Sequence, residues 1–264
     1  MSVAPDATIP VPALVAAGVL ARSLGMVLAG SAVLPELTPR IRFALALALA
    51  VVSFPQALVH AGVTAAPAAG FAGGLLVTAG EALVGIGLGA AVAAIASAGG
   101  WAGGILGSAA GLSWADDFDP DGDAQSAGMA RLAWWISCGV FLAAGGLETI
   151  VAGAIDGVRH LPVGSLLPAA GAPRLDLARL AGEAPATALA LCVALAVPSL
   201  LAVLAFHLAT AIAVRTVPFA TGPGFLQSLA AVVLLGAVSL GAETWVRGFP
   251  LLVQGPIERL FGAP

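Results

Sequence analysis

The sequence predicts an all-α membrane protein of six or seven apolar helices, arranged as hairpins. Three observations carry this. Of 264 residues, 60% are hydrophobic and 9% charged, where a soluble domain has about 25% charged residues. The apolar residues fall in long runs near the ~20 residues needed to cross a bilayer core. Gly, Pro and Ala stand at the joints between those runs, the residues that break or bend helices.

The first run covers 11–33 and is interrupted by Arg22; the second covers 43–59, after Arg40 and Arg42. Pro35 and Pro39 break the connection between them, because proline lacks the N–H that a helix interior needs. Residues 70–112 follow as a 43-residue run with Glu81 as its one charge. That is too long for one span, so it is a very long helix or a hairpin bent at glycines. Three further runs cover 129–155, 184–214 and 225–246, with a polar connection at 159–183. No polar stretch is long enough for a separate soluble domain, so 1–264 is expected to form a single membrane-embedded unit. The first residues lack a basic n-region, so no cleaved signal peptide is expected and Val11–Gly30 should stay in the chain.

Charge excludes some functions. Ten arginines and no lysine stand against 14 acidic residues, for a net charge of -4. No basic patch exists to neutralise phosphates, so nucleic acid is not an expected partner. Cys138 and Cys192 lie in apolar runs without CxxC spacing and read as small buried hydrophobes. The arginines do not orient the spans: Arg40, Arg42, Arg131 and Arg215 fall on one side, and Arg159, Arg174, Arg179, Arg247 and Arg259 on the other. Such an even split gives no positive-inside bias. Either the span count differs from six or the helices do not cross the bilayer in the ordinary way, and composition does not separate the two.

The glycines are periodic. Gly99, Gly103, Gly107 and Gly111 recur every four residues, and Gly85, Gly89, Ala93 and Ser97 continue that spacing upstream. Four-residue spacing makes one smooth helix face, which lets another backbone approach closely. The face could be covered by helices of partner subunits or by helices of this chain.

The densest polar feature is the segment 111–125, with five aspartates between two apolar runs. Asp117, Asp119, Asp121 and Gly122 fit the opening of an EF-hand loop, but the position of the bidentate glutamate is Gly128. A solvated acidic turn and a functional loop remain the stronger readings. No catalytic set emerges: Ser108 and Ser113 lack a nucleophile elbow, and His60, His160 and His207 lack metal-ligand or triad spacing. Without a nucleotide-binding or metal motif, no cofactor is expected. Arg22, Glu81, Arg131, Glu148, Arg215 and Glu243 lie within apolar runs, where each charge needs a partner or water. Glu81 opens a glycine ladder and suggests a fixed polar contact at a helix joint; Glu148 is the second intramembrane carboxylate.

Taken in order, several strings resemble the FliR/SctT family of type III export proteins. They are Arg42 to Ala50 ending near Pro55, Glu81-Ala-Leu-Val-Gly-Ile-Gly-Leu-Gly89, Ala102 to Ser113 with Asp119-Pro120, Phe141 to Leu147, Leu161-Pro-Val-Gly164, Ala196-Val-Pro198, and Arg215-Thr-Val-Pro218. Gly146-Leu147 and Ile155-Asp156 depart from the family's usual residues, which leaves flagellum and injectisome both open. The resemblance implies a non-enzymatic subunit of an export gate in the bacterial inner membrane, at a flagellar basal body or injectisome base. Its implied partners are FliP-like, FliQ-like, FlhB-like and FlhA-like proteins, membrane lipid and unfolded export substrates. It also implies that Gly111, Leu112, Ser113, Asp119 and Pro120 belong to a plug loop, and that the helices are not laid out as conventional spans. The rival reading is a polytopic secondary transporter that uses Glu81 or Glu148 as a proton site.

Overall fold

A computed structural model describes residues 9–31, 37–61, 71–112, 128–164, 177–216 and 223–260. Among these residues the chain is all-α, with eight helices and no strand: α1 (Val11–Gly30), α2 (Pro39–Ala61), α3 (Phe71–Ala96), α4 (Ala98–Ala109), α5 (Gly128–Ala143), α6 (Gly146–His160), α7 (Leu177–Thr216) and α8 (Pro223–Leu260). Among the described residues, four segments are long and apolar enough to cross a membrane: Val11–Gly30, Pro39–His60, Phe71–Ala109 and Gly182–Arg215. A fifth arises if α5 and α6 count as one broken span.

Eight helices replace six apolar runs because two runs break. The 70–112 run turns at Ser97, between α3 and α4. Together these helices occupy 39 residues, about 58 Å of helix against a hydrocarbon core of about 30 Å. The 129–155 run breaks at Ala144 and Gly145, where Gly145 has φ 81°, a left-handed conformation that ends helices and favours glycine. Gly146 follows because the Phe141 ring lies where its side chain would be. Conversely, α7 and α8 outrun the expected 184–214 and 225–246. The end of α8 lies beyond Pro250 and Pro256, at which a sequence reading stops, whereas α7 starts earlier, at Leu177, ahead of an apolar run that already held Pro185 and Pro198.

Helix ends follow ordinary capping chemistry. At the start of α1 the Pro10 carbonyl accepts from the Ala13 and Leu14 amides at 2.9 and 3.1 Å. At its end the Ser31 amide donates to the Val27 carbonyl and its hydroxyl to the Leu28 carbonyl. Both bonds satisfy carbonyls that have no partner within the helix. In α6, Glu148 sits in the first turn and Arg159 and His160 in the last, the charge order that the helix dipole favours.

The chain divides into two compact units. One comprises Met1–Ala94, Leu147–Pro185 and Gln254–Pro264; the other comprises Ile95–Gly146 and Ala186–Val253. In the first, Val15, Val19, Ala50, Ala57, Val77, Val158 and Val163 form a buried cluster. A second cluster joins Val27 of α1 to Ala46 and Leu49 of α2. In the second unit, Ala98, Ala102 and Leu106 of α4 are buried, with Ala188, Leu195 and Val203 of α7 and Ala230 and Leu234 of α8.

Large apolar side chains also cover the outside: Val59 is 75% exposed, Phe71 73%, Leu208 65% and Leu240 88%. On a water-soluble protein such continuous exposure would be a liability. On helices whose backbone groups are satisfied internally it is the surface a bilayer requires. The chain is an all-α membrane protein.

Candidate functional site

Two places concentrate the residues singled out by sequence, one in each unit. In the first unit, Arg22 of α1 meets Glu81 of α3. The Arg22 Nε–H donates to Glu81 Oε2 at 2.6 Å, and Nη2 lies 2.5 Å from the same oxygen. Both side chains are buried, Glu81 at 1% exposure. The other carboxylate oxygen, Oε1, accepts the Gly164 amide at 2.8 Å. Glu81 therefore ties together α1, α3 and the Leu161-Pro-Val-Gly164 turn. Gly164 has φ 91°, so the residue that supplies this amide needs the freedom of glycine.

Small residues bring these elements close enough for the pair to form. A side chain at Gly85 would strike the Arg22 carbonyl, and one at Gly89 the Met26 carbonyl. From the opposite helix, Gly25 faces the Ala82 carbonyl in the same way. Val163 fills the remaining gap: a Cβ at Gly18 would come within 2.7 Å of its Cγ1. The glycine ladder after Glu81 is thus the surface on which α1 lies. Glu148 has a different setting, exposed in the first turn of α6.

In the second unit, the downstream glycines receive α5. A Cβ at Gly103 would come within 2.5 Å of Ala133 Cβ and 2.6 Å of the Met129 carbonyl. One at Gly107 would meet Met129 Cβ at 3.1 Å, and one at Gly99 would overlap Ser137. Both rows of the predicted ridge are therefore covered by helices of this chain. Sequence alone left that choice open because four-residue spacing names a face and not its occupant.

The end of α4 leads into the acidic segment. Gly111 has φ 71°, and its amide donates to the Ser108 carbonyl at 3.1 Å. Its Cβ position faces Gln227 of α8 at 3.5 Å. His207 of α7 places Nε2 3.1 Å from the Ala109 carbonyl, so Nε2 carries the proton and donates to an end-of-helix carbonyl. Gly111 and Leu112 are described; Ser113, Asp119 and Pro120 lie outside the described residues.

Sequence reasoning missed His207 as a contact to α4 and Gly164 as a partner of Glu81. A signal existed for the second, since Leu161-Pro-Val-Gly164 was one of the ordered strings; for His207 there was none. Replacing His207 with Ala should speed amide exchange at Ala110 and Gly111 by up to about tenfold, the scale of one ordinary hydrogen bond. His207→Gln, which keeps a donor, should recover part of that protection. Exchange mass spectrometry with residue resolution checks both.

This arrangement is a packed helical scaffold that holds the buried Arg22–Glu81 ion pair and an anchored loop base. Comparison with known proteins agrees with it. Residues 13–242, from the start of α1 into α8, match the family model described as bacterial export proteins, family 1. No curated protein matches the chain significantly. With most of its length covered by that family model, and with helices long and apolar enough to span a membrane, this multi-pass membrane protein belongs to family 1 of the bacterial export proteins and has its role in the protein-export apparatus.

Proposed function

We propose that the chain is a non-enzymatic subunit of the type III protein-export gate, of the FliR/SctT kind, in the bacterial inner membrane. The family match over 13–242 carries this reading. The broken pair α5 and α6 adds support: the two helices join through a sharp bend within a few residues, which suits a gate whose hairpins are not conventional spans. FliP-like and FliQ-like subunits would cover part of the exposed apolar surface, and lipid the rest; FlhB-like and FlhA-like proteins would lie nearby. Unfolded substrates would pass along a conduit to which this chain contributes helices, with energy supplied by other components.

In this reading the segment 111–125 is the plug of the closed conduit. Its base at Gly111 is held between a helix end, Gln227 and the bond from His207. Deleting Asp116–Asp123 should make cells leak small ions when no substrate is being exported. An unchanged leak would remove the plug role. The secondary-transporter reading makes a separate demand, proton-coupled uptake by the purified chain in liposomes. Burial of Glu81 against Arg22 and the Gly164 amide argues for a structural carboxylate. No uptake is therefore expected. Deleting the gene should abolish either motility or effector secretion, which separates the flagellar from the injectisome form.

A further inference from the structure

We propose that a single water molecule is bound beside the Arg22–Glu81 pair, hydrogen-bonded to Arg22 and to a serine hydroxyl. The site is a cavity of about 20 Å³ within the first unit, whose lining includes Arg22 and Ser23 of α1, Ser53 of α2 and Gly157 of α6. About 10–15 Å³ of such space holds one water, and polar lining with two to four partners separates wet cavities from dry ones.

The polar groups of the pair are unevenly satisfied. Glu81 Oε2 already takes the Nε–H of Arg22, and Oε1 takes the Gly164 amide. Nη2 carries two N–H groups and lies close to Oε2, yet it makes no aligned hydrogen bond among the described residues and is shielded from outside solvent. A buried donor left in that state is costly. Ser23 and Ser53 are also buried, at 7% and 3% exposure, and line the same cavity. Their hydroxyls can accept from a water that in turn accepts from Nη2.

The charge balance selects the occupant. Arg22 and Glu81 already neutralise each other, so an added ion would stand uncompensated in a low-dielectric interior. Water satisfies the donor without adding charge. It would also bring α2 into the polar joint through Ser53, so that α1, α2, α3 and the 161–164 turn share one network. This inference does not depend on the export reading.

Two measurements test it on the full-length chain. In a map that resolves ordered solvent, a peak should lie about 2.7–3.2 Å from Arg22 Nη2 and from the hydroxyl of Ser23 or Ser53. An empty cavity in a map that shows other buried waters overturns the proposal. Independently, Ser53→Ala and Ser53→Val should both lower the melting temperature, by about 2–4 °C, because valine occupies the space of the water and strands the guanidinium. In a dry cavity the added methyl groups would improve packing, so a melting temperature that rises with Ser53→Val overturns it as well.

Discussion

Replacing Glu81 with Ala should destabilise the protein by about 3–5 kcal/mol, the cost of removing one member of a buried ion pair. Three losses coincide. The Arg22 guanidinium, with 8% of its side chain exposed, is left without a counter-charge. The Gly164 amide loses its acceptor, and Val163 loses the anchor beside it. Glu81→Gln keeps an oxygen for the amide and should recover a minor share. The informative variant is the double change Arg22→Leu with Glu81→Leu, which removes both charges and restores apolar contact. It should be less damaging than either single change, as for other buried pairs replaced by hydrophobes. Thermal unfolding of the four proteins in one detergent gives the coupling directly. A double variant that is stable and still supports export would mean that the pair is a structural pin; loss of export in a stable double variant would point to a carboxylate with a chemical duty.

Gly85→Leu should prevent α1 from seating on α3 and leave little folded protein, and even Gly85→Ala should cost about 1–3 kcal/mol or more. The obstacle is backbone, the Arg22 carbonyl, which cannot swing aside as the end of a flexible side chain could. Separation of the two helices would also pull Arg22 from Glu81, so the damage compounds. By contrast, a Cβ at Gly104 would meet only Ala130 Cβ, at 3.8 Å. Gly104→Ala should therefore be neutral or slightly stabilising, since alanine is the better helix former by about 1 kcal/mol. Ranking Gly85→Ala, Gly103→Ala and Gly104→Ala by melting temperature checks the packing: the first two should fall well below the third.

Much of this was legible in the residues. Scarcity of charge and runs of about 20 apolar residues identified helices and membrane, because a bilayer leaves few other solutions. The spacing of Gly85, Gly89, Gly99, Gly103 and Gly107 marked a close-packing face. Glu81 was expected to make a fixed polar contact, because an unpaired carboxylate in an apolar helix is too costly to persist. Its partner was harder to see, for Arg22 lies 59 residues away and pairing across that distance is set by the fold. The break at Gly145 was hidden for a related reason. Hydropathy reads composition, whereas a break depends on φ and on where a ring such as Phe141 lies. The end of α8 was hidden too, since a proline in a long helix is tolerated where tertiary context compensates for the lost hydrogen bond.

In the proposed gate, exported protein passes this chain. A photoreactive residue placed at Leu112, at the base of the acidic segment, should report this passage when a substrate is arrested in mid-export in living cells. Cross-links are expected between Leu112 and the arrested substrate, well above those from Leu208, an exposed apolar position in α7. Equal labelling at the two positions, or labelling of Leu112 by lipid alone while the substrate is shown to be engaged elsewhere in the apparatus, would contradict it.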